Sequence, residues 1–469
     1  MKIAFAHYHL KKGGVTTVIQ QQVKVLGDDH QVLVLAGSPP EDDFPAESVV
    51  IPELAYTRSD QPSFNPHDVA GSIIEAIQQA FQGQCDVLHI HNPTLAKNKH
   101  FLSILKQLQL KNVKLFLQIH DFAEDGRPLS YFHEAYPPDC HYGVLNSRDY
   151  HILLLAGLKA TGVHHISNMV TAVEMKHRRQ PIGNYVLYPI RAIRRKNIGE
   201  AILLSLFFQG NEELVITLPP NSPPDMLSYR DWKSFVERHQ LGIEFDAGVK
   251  KDFQTLVQAA RFLITTSITE GFGFSFLEPW MYDQLLWGRK LRAVTQDFEQ
   301  NGIQLDHLYL QLGVPVDWIG LTELSNRWKS CVQHTCDTLN YPIQKGHITA
   351  SFERITANGV IDFGLLDEGF QKQIIRRVLD DKKNAQTLRR MNSFLARPAQ
   401  VSQKEQLIRD NKNAIAATYD PGSYRRRLVQ IYQSVSRQPI KQRIDKAVLL
   451  SEFLKLNKFS LLKWCDYIG

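Results

Sequence analysis

Short apolar runs alternate with segments of helical periodicity from the first residues of the chain onward, and the alternation occurs twice. In the first series, KIAFAHY, HQVLVLAG, DVLHIHN, VKLFLQIHD and YGVLNS read as strands, while VTTVIQQQVKVL and HDVAGSIIEAIQQAF carry apolar residues at helical spacing. Strands that are apolar along their whole length, separated by helices, belong in a parallel sheet covered on both faces. A second series starts near Asn184 with YVLYPI, then IGEAILLSLFF as a helix, ELVITLPP as a strand, FQTLVQAA as a helix and RFLITTS as a strand. The expectation is therefore an α/β protein of two Rossmann-like doubly wound domains facing a central cleft. A length of 469 residues, past the size at which one core keeps growing, agrees with this.

The expected boundaries are 1–180 for an N-terminal, acceptor-side domain and 181–421 for a C-terminal, donor domain. The polar stretch MKHRRQPIGN marks the joint. Residues 422–436 read as an amphipathic closing helix for the second domain, with Tyr424, Leu428, Ile431, Tyr432 and Val435 on one side. Residues 437–469 read as a basic amphipathic tail, with Leu449, Phe453 and Leu456 on one face and Lys446, Lys455 and Lys458 nearby. A packed or partner-binding helix is the first expectation for this tail, and a weak membrane-surface contact the second.

Composition removes several classes of protein. Hydrophobic residues at 43% and charged residues at 22% are ordinary globular values. A net charge of +6 over this length is too dilute for a dedicated nucleic-acid binder but suits a local anionic ligand such as a diphosphate. The start MKIAFAHYHL runs straight into a strand and lacks the features of a signal peptide, so cytoplasmic residence is expected, with a place at the inner face of the membrane as the variant. Five cysteines do not make a disulfide framework, and Cys331, His334 and Cys336 lack a second ligand pair at zinc spacing, so no metal site is expected.

Four constellations carry chemistry. TEGFGFSFLE places Glu270 and Glu278 around a turn in which Gly271 and Gly273 allow close backbone approach, between a strand and a helix whose opening N–H groups suit an anion or sugar hydroxyls. A plain strand-to-helix turn would account for the motif alone, but ligands of open α/β sheets bind at the carboxyl ends of strands. At the same end of the same predicted sheet, YPIRAIRRKNIGEA offers Arg191 and Lys196 as a fork and a point charge for two phosphates, with Arg194 and Arg195 read as solvated surface charges. HYHLKKGGVTTVI puts Gly13 and Gly14 between the first strand and helix, without the fingerprint of a nicotinamide-binding turn. LFLQIHDF puts His120 and Asp121 at a strand end beside His91 and Asn92; His89, inside its strand, reads as structural.

Together these elements resemble the family 4 retaining glycosyltransferases of the two-Rossmann-domain GT-B architecture. The likeness runs over residues 1 to 436 and rests on GGV, DVLHIHN, the histidine of LQIHD, VLNS followed by HHISNMV, the Arg and Lys of RAIRRK, FDAGV, and EGFGFSFLE with seven residues between its glutamates. The resemblance implies a hexosyltransferase working from a UDP- or GDP-sugar by a front-face mechanism, with the nucleotide-sugar as co-substrate and no metal or other cofactor. It assigns Arg191 and Lys196 to the donor diphosphate, Glu278 to the ribose, Glu270 to the transferred sugar, and His120 to that sugar's hydroxymethyl. It further implies donor contacts from Gly13 and Gly14, from Gly248 and Val249 at the base, and from the backbone of Gly271, Phe272, Gly273 and Phe274. The acceptor would be a sugar, a glycerate-like small molecule or a lipid-linked sugar, and nucleic acid is not a partner. Two departures stand out: Ile190 where relatives carry glycine before the phosphate arginine, and PWMYDQLLWGRKLRAVTQDFEQNG in place of a short glycine turn. The insertion-like stretch from Ile303 to Ile355 is poorly matched, with packing on the second domain or covering the acceptor side of the cleft as its two expectations. The competing expectations are a degenerate nucleotide-sugar-binding or scaffolding subunit without turnover and, more remotely, a nicotinamide dehydrogenase.

Overall fold

The computed structural model describes residues 1–41, 43–57, 64–171, 183–210 and 212–467. They form two compact units. The first contains Met1–Thr171 and Thr418–Leu454; the second contains the described residues of 172–417 and 455–469.

The first unit is built on a seven-stranded sheet: β1 (Lys2–His7), β2 (Gln31–Ala36), β3 (Glu47–Val50), β4 (Val87–His91), β5 (Leu115–Ile119), β6 (His141–Val144) and β7 (Val163–His165). Its order is β3-β2-β1-β4-β5-β6-β7, and every pairing is parallel. The chain leaves β1 toward one edge and returns at β4 to continue toward the other, so the switch point of the sheet lies between the carboxyl ends of β1 and β4. The two faces follow from the two-residue period of a strand. Ala4, Ala6, Leu33, Leu35, Leu88, Ile90, Leu117 and Ile119 enter one core layer, while Ile3, Phe5, Val34, Val87 and Phe116 enter the other.

That second layer is closed by the helix Pro421–Arg437, capped by Asp420, whose side chain accepts from Ser423 N. Its apolar stripe, Tyr424, Leu428, Ile431, Tyr432 and Val435, packs with Ile3, Phe5 and Phe116. The helix thus covers the first sheet, whereas its place in the chain suggested the second. Periodicity reports that a helix has an apolar side, and both sheets need covering. Polar groups distinguish the two destinations: Gln22 Nε2 donates to Tyr424 Oη (2.8 Å), and Tyr432 Oη lies 2.9 Å from His89 Nδ1.

The second unit carries β8 (Tyr185–Arg191), β9 (Glu213–Leu218), β10 (Ile243–Glu244), β11 (Ala260–Thr265) and β12 (Leu286–Gly288), all parallel, in the order β10-β9-β8-β11-β12. The switch point here lies between β8 and β11. Pro189 sits inside central β8, and the register with β9 shifts between Tyr188 and Arg191, as it must where a ladder N–H is missing. Beyond β12 comes a short antiparallel pair, β13 (Gly313–Pro315) with β14 (Val360–Asp362). The helices Leu321–Thr338 and Lys345–Ile355, from the poorly matched stretch, pack on each other in this unit, with Trp328, Val332, Cys336 and Phe352 buried.

The tail spends its apolar residues on packing. Leu449 and Phe453 belong to the core of the first unit. Leu456, Phe459, Leu461, Leu462 and Trp464 are buried in the second, where Phe459 O accepts from Trp328 Nε1 at 3.2 Å. Among the described residues no helix is long and apolar enough to cross a membrane.

Candidate active site

In the second unit the chain leaves β8 at Arg191, makes a 3-10 turn over Arg194–Lys196, passes Asn197 in the left-handed region (φ 52°) and enters the helix Ile198–Ser205. The loop after β11 is fastened to this turn. Tyr188 Oη donates to Lys196 O (2.7 Å) and accepts from Thr266 N (3.1 Å), while Thr266 Oγ1 donates to the carbonyls of Lys196 and Asn197 at 3.0 Å each. Ile268 N adds a bond to Arg195 O (3.0 Å). Two loops from neighbouring strands therefore form one platform at the switch point. On it Lys196 Nζ and Glu270 Oε1 form a direct ion pair, with only 15% and 9% of the two side chains exposed.

The carboxyls of this platform respond in opposite directions. Burial alone would raise Glu270, but the charges of Lys196 and Arg195, with bonds from Lys196 and Ser267, outweigh it and hold the group below its ordinary value. Glu278, first residue of the helix Glu278–Met281, is pushed up to about 7 by burial, which the nearby charge of Lys196 only partly offsets. Between them Gly273 has φ 95°, and a Cβ there would lie 2.7 Å from Val294 Cγ1, so both conformation and space require glycine. The Phe272 ring is buried against Phe298 (5.5 Å between centroids) and Phe274 (5.0 Å), which leaves backbone groups as what this turn can offer a ligand.

Arg191 Nη1 donates to Pro219 O at 3.0 Å. Gly248 and Val249 lie in the short helix Ala247–Lys250; a Cβ at Gly248 would press on Thr217 O (3.2 Å), and Val249 is 66% exposed.

In the first unit the residues at the switch point are imidazoles. His7 ends β1, His91 ends β4 and His120 follows β5. His7 Nδ1 lies 3.3 Å from His91 O, and His91 Nδ1 lies 2.7 Å from His120 Nε2. Asn92, with φ 53°, uses its Oδ1 to accept from His120 N (2.8 Å) and Asp121 N (3.1 Å), which fixes the chain where it leaves β5. Burial pushes His120 down to about 4 and His7 to about 3, so all these rings are neutral near pH 7. Nearby, Asp121 pairs with Arg127 at 2.8 Å, and His9 Nε2 lies 3.2 Å from Tyr56 Oη. Gly14 opens the helix Gly14–Leu26, and a Cβ there would meet open space: the fold itself does not require glycine at this point.

No family profile matches the chain. A curated relative, mannosylglucosyl-3-phosphoglycerate synthase of Petrotoga mobilis, is 27% identical over 333 residues, covering 62% of this chain. The chain spans 65% of that relative's length. Among solved structures, sucrose-phosphate synthase from Thermosynechococcus elongatus superposes with a TM-score of 0.54 at 13% identity, covering 92% of this chain and 98% of its own. Anabaena HepE, solved with UDP and glucose, gives 0.55 at 11% identity, covering 92% and 99%. A glycosyltransferase from Rickettsia africae gives 0.53 at 11% identity, covering 93% and 99%. At such identities the likeness is one of fold, and it extends over both units.

The chain has the GT-B fold. Within its second GT-B domain the structure brings Lys196, Glu270 and Glu278 together, whereas the guanidinium of Arg191 is bonded to the Pro219 carbonyl. Within the first it brings His120 against His91 and leaves Gly13 and Gly14 at a helix start. Arg194, expected in solvent, is instead held by Glu368 through Nε (2.7 Å) and Nη2 (2.9 Å) and donates to Cys465 O.

Behind the platform lies a network that motif reading overlooked. Arg289 forks onto Glu200 (2.8 and 2.7 Å) and onto Asp362 (2.8 and 2.7 Å), and Tyr309 Oη donates to Glu200. Glu200 also accepts from Asn197 Nδ2 at 2.7 Å, which anchors the residue after Lys196. The available signal was Glu200 itself, a lone acid in the apolar segment IGEAILLS: a carboxylate in such a helix is buried only with partners.

Proposed function

We propose that this chain is a retaining glycosyltransferase that moves a hexose from a UDP- or GDP-sugar to an acceptor hydroxyl without a divalent metal. The observation that carries the proposal is the buried Lys196–Glu270 pair at the switch point of the second sheet, with Glu278 beside it. A cation pre-placed against one carboxylate, on a platform pinned from two strands, is a site prepared for a diphosphate bearing a sugar. On donor binding Lys196 and Arg191 take the diphosphate, assisted by backbone N–H groups at the start of the helix Ile198–Ser205, and Glu278 takes the ribose hydroxyls. Glu270, released from Lys196, orients the sugar.

Departure of the nucleoside diphosphate then relies on these fixed cations. The acceptor oxygen forms its bond to the anomeric carbon on the face that the diphosphate leaves, and its proton passes to the departing phosphate. Glu270 stabilises the positive charge on the ring without forming a glycosyl-enzyme, so the anomeric configuration is retained. His120 would bond the sugar, and the backbone from Gly271 to Phe274, with Gly13, Gly14, Gly248 and Val249, would complete the donor site.

The relatives support parts of this reading: the Anabaena neighbour was solved with UDP and glucose, and the Petrotoga relative is named for a phosphoglycerate product. A glycerate-like acceptor is accordingly preferred over a plain or lipid-linked sugar. We place the enzyme in the cytoplasm, which suits its five free cysteines. Any membrane contact of the tail would rest mainly on exposed basic residues such as Lys441, Arg443, Lys455 and Lys458, since most of its described apolar residues are packed.

The test is product analysis. Incubation with UDP-glucose or a GDP-hexose and glycerate-type acceptors in chelator should release free nucleoside diphosphate, with a product whose anomeric coupling matches the donor's. Inverted product would overturn the mechanism, and nucleotide binding without release would replace the enzyme by a binding subunit.

A further inference from the structure

The histidine contacts of the first unit carry information about protons. His91 is fully buried, its Nδ1 is 2.7 Å from His120 Nε2, and its Nε2 is buried with no hydrogen-bond partner. Two neutral imidazoles at this distance share one proton, and the two arrangements differ at the far nitrogens. If His120 donated, the proton of His91 would sit on Nε2 as a buried N–H without an acceptor, a rare arrangement in folded proteins. If His91 donates from Nδ1, its Nε2 is a bare lone pair, and the proton of His120 moves to Nδ1. Nδ1 of His120 has no partner among the described residues either, but unlike His91 Nε2 it is not sealed from solvent, since His120 keeps 7% of its surface exposed and His91 none, so an N–H there can meet water or a ligand.

We infer that His91 is a positioning residue that fixes the tautomer of His120, so that His120 presents Nδ1–H as a hydrogen-bond donor and has no lone pair left with which to act as a base. Burial keeps both rings neutral, which removes the arrangement in which each nitrogen carries a proton. The rest of the setting holds the geometry. His89 stacks on His91 with centroids 4.3 Å apart, His91 and His120 meet edge to edge with their ring planes 28° apart, and the His7 ring donates to the His91 carbonyl. Resting on the proposed function, the inference makes His120 a donor to a sugar hydroxyl oxygen, in keeping with a reaction whose proton goes to the leaving phosphate.

The test reads the proton directly. In the full chain labelled with 15N-histidine, long-range proton–nitrogen correlation distinguishes a protonated Nδ1 from a protonated Nε2, and the His120 signals are identified by their loss in His120→Gln. The expected result is Nδ1–H on both His120 and His91; Nε2–H on His120, or a doubly protonated ring, would overturn the inference. His91→Asn keeps a donor near the Nδ1 position and should leave His120 as Nδ1–H. His91→Asp offers only an acceptor and should move the proton to Nε2. An unchanged tautomer in His91→Asp would refute positioning by His91. If the chain transfers sugar, His91→Asp should lower kcat/KM for the nucleotide-sugar by about tenfold, the worth of one hydrogen bond, with binding of the free nucleoside diphosphate unchanged. The tautomer result does not depend on turnover, so failure of the proposed function and failure of this inference separate, and the wild-type spectrum decides the matter even if a variant does not fold.

Discussion

The two switch points of this chain occupy equivalent places in their sheets but are built by opposite means. The one in the second unit is charged: Lys196 faces Glu270, and behind them Glu200, Arg289 and Asp362 form a buried ionic cluster. The one in the first unit is polar but neutral, made of His7, His91 and His120 kept uncharged by burial. A site that holds a diphosphate must supply charge and so must hold its charges rigidly. A site that positions hydroxyls needs direction without charge, which neutral imidazoles in a fixed tautomer provide.

The contrast breaks most visibly where a buried ion loses its partner. Glu200→Ala leaves Arg289 with Asp362 as its one carboxylate and takes the acceptor from Asn197 Nδ2, and should cost the second unit about 3 to 5 kcal/mol in urea unfolding followed by hydrogen exchange in each unit. Protection in the first unit should change little. Next in size is Glu270→Ala, expected to lower kcat by roughly 100-fold while nucleoside diphosphate affinity holds or improves, since Lys196 is then unpaired. Lys196→Ala should weaken the same affinity by about 1.5 to 3 kcal/mol in calorimetry.

A smaller effect separates the units by pH. Glu278 is raised in the folded state to about 7, so its contribution to stability is present below its ordinary value and is lost as pH rises through 7. If its carboxylate binds ribose, nucleotide affinity rises between pH 6 and 8, and Glu278→Gln flattens that rise. His7 and His120 are lowered, so the unfolded chain takes up protons first as pH falls below about 6.5, and the first unit loses stability there. Thermal melts from pH 8 to 5 should show the first unit weakening on acidification. A first unit that strengthens instead would contradict the neutral-histidine account.

The central strands were legible because fully apolar runs leave little choice, whereas the short edge strands β3, β7, β10 and β12 lack such runs and were not read; the polar residues His120, Lys196 and Glu270 stood out because they follow the central runs within five residues. What covers what was less legible. The stripe on Pro421–Arg437 fits any sheet face, and bonds from residues hundreds of positions away, Gln22, His89 and Lys114 among them, tie it to the first. Packing was the first expectation for the tail, but against what was not legible, because partners such as Trp328, which bonds Phe459 O, lie far off in sequence. Arg194 looked solvated for the same reason, since its partner Glu368 follows 174 residues later.

The central claim is that fixed cations of the second unit bind a nucleotide-sugar diphosphate. Its most direct test is calorimetry in chelator with UDP, GDP and ADP and their sugars, comparing wild type with Lys196→Ala. The account predicts that one nucleotide class binds the wild type without metal and binds Lys196→Ala at least tenfold more weakly. Equal binding by both proteins, or no binding of any nucleotide by a folded wild type, would contradict it.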